Sequence, residues 1–162
     1  MDFTKTHLED FIETFYTSIG IQDPNELGIE RIAARMGVIV DYVDGVSKCF
    51  KIECCSVILL NQHLSPHAQW QEFAHELCHL LLHAGNQHAL PSAFLELQER
   101  QANNFALHFC IPSFMLERIN LPFQKQAAIL VISEIFGVEP SFAALRFEQY
   151  TRRVQSLYNT RK

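Results

Sequence analysis

Hydrophobic and polar positions near the start of the chain repeat with the period of an α-helix. Apolar residues recur every three or four positions, at Leu8, Phe11, Ile12, Phe15 and Ile19. Thr6 and Glu9 stand at the start of this run in the order of a capping box, and Gly20 is a natural stop. The pattern predicts a first helix. A second helix is predicted from Asp23-Pro24, an N-cap residue followed by proline, to Gly37.

The pattern changes to a strand-like one between residues 38 and 61. Val38–Val43 and a run from Val46 to about Glu53 flank Asp44-Gly45, a pair typical of tight hairpin turns. Ser56–Asn61 is apolar enough to be a third strand. We therefore predict a small antiparallel sheet of about three strands, in which the first two form a hairpin.

Helical spacing resumes at Ser65-Pro66 and continues to the end of the chain. The predicted helices cover about 66–84, 92–110, a short stretch from Ser113, Pro122–Phe136 and, capped by Ser141, 142–153. Residues 86–92 are predicted to be a loop and the final NTRK a frayed tail. The expected fold class is α+β in a single domain, 1–162. It has N-terminal helices at 6–36, the sheet at 38–61, a helix pair at 66–110 and C-terminal helices at 113–153.

Composition places the chain among ordinary globular proteins and makes one class of partner, nucleic acids, less favoured. Of 162 residues, 48% are hydrophobic and 19% charged, and the net charge is −5. Nucleic-acid-binding domains usually carry a basic surface, so this balance disfavours DNA binding. The five cysteines include no CxxC pair and favour reduced thiols in a cytoplasmic protein. The acidic start lacks a signal peptide, and no apolar run approaches the roughly 20 residues of a membrane span.

The stretch QEFAHELCHLLLH, residues 71–83, contains the pattern HExxH. His75 and His79 lie one helical turn apart and can direct two imidazoles at one ion. Glu76 lies beside them, near enough to take a proton from an attacking water. The alternative is an apolar core helix that carries histidines by chance. Because burying two histidines and a glutamate without partners is costly, we favour a metal site.

The third ligand must come from outside this motif. His83 lies roughly 12 Å along the helix axis from His75, too far to share one ion with it. Leu82 and Gly85 stand where a metzincin has glycine and histidine, which excludes that class. The helix at 92–110 offers Glu99 near its inward face, which we assign from Phe94, Leu95, Ala102, Phe105, Ala106 and Phe109. Glu96 remains an alternative, and Asn103, one turn after Glu99, could hydrogen-bond a ligand histidine.

Two segments together resemble the ImmA/IrrE family of metallo-endopeptidases. They are FAHELCHLLLH and ERQANNFALHFCIP, which pair HExxH with a helix reading E-x-x-A-N-x-F-A before a proline. The resemblance extends over about residues 25–150, with Ile111 where methionine is commoner. It implies a compact gluzincin-like fold in which His75, His79 and Glu99 ligate Zn²⁺ and Glu76 is the general base.

The same resemblance implies a cytoplasmic protease that cleaves a helix-turn-helix repressor of a prophage or mobile element. We place an extended substrate on the third strand, Ser56–Asn61, as an exposed sheet edge. One alternative is a metal-containing regulator that binds a repressor without cleaving it. A less favoured alternative is DNA binding through the helix–glycine–helix pattern around Gly137, because the second helix carries Glu148 and few basic residues before Arg152 and Arg153.

Overall fold

Helices surround a three-stranded sheet in the computed structural model, which describes residues 5–83 and 91–159. In chain order the elements are α1 His7–Ser18, a 3-10 turn Pro24–Glu26, α2 Ile29–Met36, β1 Val38–Val43, β2 Lys48–Ile52, β3 Cys55–Asn61, α3 Pro66–Leu82, α4 Ser92–Cys110, α5 Ser113–Leu116, α6 Lys125–Phe136 and α7 Pro140–Asn159. The α+β class is confirmed. The predicted helix end at Ala84-Gly85, loop residues 86–90 and the tail from Thr160 lie outside the described residues.

The first helix begins as its capping box predicts. The Glu9 N–H donates to Thr6 Oγ1 at 3.3 Å, and the Thr6 N–H donates to Glu9 Oε2 at 2.8 Å. These bonds satisfy backbone donors that the first helical turn leaves unpaired. The helix ends at Ser18, and Gly20 follows with a left-handed φ of +68°.

The second predicted helix is wrong in its first part. Asp23 caps only the 3-10 turn, because the carboxylate of Glu26 folds back to accept the N–H groups of Gln22 and Asp23. The backbone then turns extended at Leu27, with ψ at 141°, and α2 starts afresh after Gly28. These local hydrogen bonds complete the 3-10 turn, and the helix does not continue from it.

The sheet contains the three predicted strands, but the predicted hairpin is wrong. The strand order is β1-β3-β2, so β3 is the central strand. β1 runs parallel to β3, with Val38 opposite Ser56 and Val43 opposite Asn61. β2 runs antiparallel to β3, from Lys48 opposite Leu59 to Ile52 opposite Cys55. The sheet is therefore mixed rather than antiparallel.

Backbone conformation explains why Asp44-Gly45 does not form the predicted turn. A tight primed turn needs positive φ, and neither Asp44 nor Gly45 has it. The chain instead crosses the end of β3, where Ser47 Oγ accepts a hydrogen bond from the Asn61 N–H at 3.1 Å. The tight turn comes later, at Glu53, whose φ is +53°.

The central strand holds the sheet against the two long helices. Ile58 and Leu60 are fully buried in the core, and β3 leads directly into α3, which packs along α4. Stacked aromatic pairs, Trp70 with Phe73 and Phe105 with Phe109, fill the space between these elements. The ends of the helix pair are less buried than predicted, with Phe94, Leu81 and Leu82 exposed.

The last two helices differ from prediction at their starts. α6 begins at Lys125 rather than Pro122, and α7 begins at Pro140 and continues to Asn159. Within the described ranges, no single helix has both the length and the apolar character needed to cross a bilayer.

A buried polar network ties α1 to the later helices. Arg146 is 1% exposed and donates to Ser113 Oγ at 2.6 Å and to the Ile111 carbonyl at 3.2 Å. Ser113 in turn donates to Glu9 Oε1 at 2.5 Å, and Arg153 also pairs with the Glu9 carboxylate. A charge that is so deeply buried is tolerated because Nε and Nη2 of Arg146 both face acceptors and the Glu9 carboxylate lies 3.9 Å away.

Candidate metal centre

Helix α3 brings the histidines of the HExxH pattern onto one face. The Nε2 atoms of His75 and His79 lie 3.1 Å apart, as their one-turn spacing on α3 predicts. The ring of His79 is 6% exposed and that of His75 17% exposed. Two imidazole nitrogens thus lie close together on the face of α3 that packs against α4.

Glu99 of α4 faces both histidines. Its Oε2 lies 3.3 Å from His75 Nε2, and its Oε1 lies 3.3 Å from His79 Nε2. Within the described residues, these three side chains are the one group of His, Cys, Asp or Glu whose ligand atoms all lie within 4.8 Å of each other. Glu96, the other glutamate considered on α4, is exposed and stands outside the group.

Each histidine is held on its outer side by a further side chain. His75 Nδ1 lies 3.0 Å from Asn103 Oδ1, the contact expected from the sequence. His79 Nδ1 lies 2.9 Å from His83 Nδ1, and His83 Nε2 lies 3.1 Å from Gln101 Oε1. For His83, the only signal in the sequence was the four-residue step from His79, and for Gln101 there was none.

The donor set fits a zinc-sized ion. With Asn103 and His83 as acceptors, each ligand histidine carries its proton on Nδ1 and turns a lone pair on Nε2 toward Glu99. These lone pairs and the carboxylate oxygens repel one another at 3.1–3.3 Å unless a cation lies between them. Two ligands on a tetrahedral zinc with bonds near 2.0 Å stand about 3.3 Å apart. The observed separations match that value.

The environment of His79 favours the neutral ring that binds a metal. Burial lowers the pKa of His79, and nearby His75 and His83 lower it further, while Glu99 raises it. A neutral imidazole keeps the Nε2 lone pair that a metal needs. The side chain of Glu99 is 55% exposed, so the group is accessible to solvent on the side of Glu99.

Glu76 occupies the interior side of the motif. It is 8% exposed, and burial raises its pKa above the usual range for a carboxyl. The nearby thiol of Cys49 on β2 favours the charged carboxylate and so acts on the pKa of Glu76 in the opposite direction. Burial and this carboxylate raise the pKa of Cys49 to about 12, so the thiol stays protonated. The sequence contained no signal for Cys49, because its place depends on how the strands pair.

Among the described residues, the other histidines, including His7, do not join the group. His63 pairs with Asp44 at 2.9 Å, His67 is exposed on the first turn of α3, and His108 is largely buried near Arg146. His88 lies outside the described residues. Cys78, inside the HExxH pattern, has no exposed surface and packs in the core.

Known proteins are similar to this chain in sequence and in fold. Residues 42–148 match the family Peptidase_M78, described as the IrrE N-terminal-like domain. The phage-like element PBSX protein XkdA of Bacillus subtilis (strain 168) is 39% identical over 148 residues, which cover 91% of this chain and 75% of XkdA. YqaB of the same organism is 37% identical over 154 residues, 95% of this chain and 90% of YqaB.

A solved structure extends the comparison to the fold. A Mycobacterium tuberculosis transcriptional regulator superposes with a TM-score of 0.59 at 20% identity, covering 85% of this chain. The chain spans 46% of that protein, so the likeness concerns the shared fold alone. From the family match and the two Bacillus relatives, the chain belongs to the peptidase-type family of IrrE N-terminal-like domains, the ImmA/IrrE group.

Proposed function

We propose that the protein is a zinc-dependent endopeptidase of the HExxH gluzincin type. The observation that carries this proposal is the convergence of His75, His79 and Glu99 at 3.1–3.3 Å. Glu76 follows His75 directly on the same helix. Two imidazoles and one carboxylate suit zinc and leave a coordination position open, the arrangement of hydrolytic rather than structural sites. Membership of a peptidase-type family supports the same conclusion.

The residues of the site have separate roles in hydrolysis. When bound, zinc supplies Lewis acidity to a peptide carbonyl and to water. His75 and His79 present Nε2 to the ion, and Glu99 closes the triad from α4. Glu76 takes a proton from the attacking water and delivers it to the departing amine. Burial beside Cys49 keeps the Glu76 carboxyl at a fixed place.

A phage-type repressor with a helix-turn-helix domain is the proposed substrate, met in the cytoplasm. Support comes from XkdA, whose name assigns it to a phage-like element. The earlier placement of the substrate along β3 is wrong, because β3 is the central strand. β2 is an edge strand, and its Cys49 contacts Glu76. We place the extended substrate beside β2.

Metal content tests the proposal most directly. Zinc per chain is measured by mass spectrometry on wild type, Glu99→Ala and Glu96→Ala. Glu96 is the matched control, an exposed glutamate on the same helix. We expect about one zinc per chain in wild type and in Glu96→Ala, and loss in Glu99→Ala. Equal zinc in all three proteins would contradict the ligand set.

Cleavage of a candidate repressor then separates an enzyme from a binding regulator. If wild type carries zinc and binds the repressor but never cuts it, the protein is a non-proteolytic regulator. Direct DNA contact is disfavoured by the structure of the last two helices. Arg146 of α7 is buried against Ser113 and Ile111, so it offers no charge to a phosphate.

A further inference from the structure

A row of three side chains continues outward from the metal group. His79 Nδ1 lies 2.9 Å from His83 Nδ1, and His83 Nε2 lies 3.1 Å from Gln101 Oε1. His83 follows the last turn of α3, while Gln101 is on α4, two residues after Glu99. The row therefore bridges the same two helices that supply the ligand atoms.

With the Gln101 oxygen facing His83, proton placement along this row follows for neutral imidazole rings. The Gln101 oxygen is an acceptor, so His83 Nε2 carries a proton and donates it. A neutral His83 then has a bare Nδ1, which accepts from the Nδ1–H of His79. His79 is left with a lone pair on Nε2, the atom 3.3 Å from Glu99 Oε1. The orientation of a distant amide thus fixes which nitrogen of His79 faces the metal group.

We propose that His83 and Gln101 are positioning residues, which hold His79 in the Nδ1–H tautomer and fix its ring orientation for metal binding. The inference rests on the proposed zinc site and adds two residues to it. His83 is not itself a ligand, because both of its ring nitrogens are engaged away from the Nε2 atoms of His75 and His79. Metal ligands commonly depend on such outer partners, whose removal weakens metal affinity about 10–100-fold.

The row borders a cavity whose lining includes none of the three ligand residues. His83 and Gln101 line a separate cavity of about 350 Å³ with Leu8, Leu82, Asn104 and Phe105. They act on the metal group through His79 alone. A change at Gln101, which is exposed, can therefore alter zinc affinity without touching a ligand atom.

Zinc affinity provides the first test. Dissociation constants are measured by competition with a chromophoric chelator for wild type, His83→Ala, His83→Gln, Gln101→Ala and His67→Ala. We expect His83→Ala to weaken zinc binding about 10–100-fold and Gln101→Ala to weaken it less. His83→Gln, which restores a side-chain acceptor, should recover part of the loss. His67→Ala removes an exposed histidine from the same helix and should match wild type.

Two spectroscopic signatures separate positioning from general destabilisation. Long-range ¹H–¹⁵N correlation spectra should show the Nδ1–H tautomer for His79 and the Nε2–H tautomer for His83 in the zinc-loaded protein. The visible absorption of the cobalt-substituted protein should change in His83→Ala and remain unchanged in His67→Ala. If His83→Ala does not fold, Gln101→Ala and the wild-type spectra still test the positioning role.

The outcomes distinguish this inference from the proposed function. Wild type that binds no zinc would overturn both. Wild type that binds zinc through Glu99, with His83→Ala and Gln101→Ala indistinguishable from His67→Ala, would overturn the positioning role alone. The opposite tautomer at His79 would overturn it as well.

Discussion

His75 Nδ1 lies 3.0 Å from Oδ1 of Asn103, one helical turn beyond Glu99 on α4. One turn of α4 therefore supplies both the carboxylate that faces His75 Nε2 and the amide that holds the opposite side of the same ring. Helix periodicity links these two contacts, because residues four apart share a helix face. The placement of His75 consequently depends on a single rigid element.

Replacing Asn103 should weaken metal binding without removing a ligand. In Asn103→Ala, the His75 ring loses its Nδ1 partner, so we expect zinc affinity to fall about 10–100-fold. Chelator competition measures the change. Asn104→Ala is the matched control, since Asn104 bonds to Gln149 and not to the metal group. Equal affinities in the two variants would remove Asn103 from the site.

Glu76→Gln should separate metal binding from catalysis. The substitution keeps the size of the side chain but removes the base, so zinc content should stay near one per chain while cleavage falls by about 10²-fold or more. Zinc analysis and repressor cleavage are measured on the same preparation. Glu72→Gln, one turn earlier on α3, is the control and should cleave as wild type does. A Glu76→Gln protein with full activity would show that another group is the base.

Proline on the edge strand tests where the substrate lies. Adjacent residues of an edge strand point their N–H groups alternately inward and outward, so one of Phe50→Pro and Lys51→Pro keeps the ladder with β3 intact. We expect that variant to remain folded by circular dichroism and to lose cleavage while retaining zinc. Wild-type cleavage by the folded variant would show that the substrate does not pair with β2. Ile39→Pro on the opposite edge, β1, controls for general effects of proline.

The free energy of unfolding should decrease as the pH is lowered, because of His108. Burial, followed by the charge of Arg146, lowers the pKa of His108 from 6.5 to about 3. The unfolded chain binds a proton more readily, so this histidine's contribution is fully present above pH 6.5 and is lost as the pH falls toward 3. We expect a loss of roughly 2 kcal/mol between pH 7 and 4.5, scaled from the shift.

Urea unfolding of the metal-free protein at both pH values measures this dependence. In His108→Gln the pH dependence should flatten, while His67→Gln, at an exposed position, should keep the wild-type slope. An unchanged slope in His108→Gln would assign the acid sensitivity to other groups.

Removing the negative charge at Glu9 should destabilise the fold. In Glu9→Gln, buried Arg146 loses the carboxylate oxygen that lies 3.9 Å from its Nη2, and breaking a buried ion pair costs about 3–5 kcal/mol. Glu13→Gln affects the part-exposed pair with Lys5 and should cost under about 1 kcal/mol. Urea denaturation compares the two. Adding Arg146→Met to Glu9→Gln should recover part of the loss, and no recovery would indicate that the charge of Arg146 is not the cause.

Local patterns made much of the architecture predictable. The capping box of Thr6 and Glu9 and the long helix Ser92–Cys110 are confirmed, because each depends on residues within one or two turns. The same periodicity brought His75 to His79 and related Glu99 to Asn103. The approach of α4 to α3 was not a local property, and it was inferred from the need for a third ligand and from the family resemblance.

Strand pairing was not predictable in the same way. Asp44-Gly45 had the composition of a hairpin turn, yet the parallel pairing of β1 with β3 requires the chain to pass over the end of β3 there. That choice depends on burying Ile58 and Leu60 between the sheet and α3. The role of His83 was missed for a related reason, since it depends on which ring nitrogen faces which neighbour.

The triad joins two helices, since the histidines belong to α3 and the carboxylate to α4. An ion bound there would cross-link α3 to α4. Because the unfolded chain does not hold these ligands together, the ion would bind the folded state preferentially and stabilise it. The melting temperature should then rise with free zinc concentration. Chelation would loosen α4 from α3, so the cell's zinc supply would govern the lifetime of the folded chain as well as its chemistry.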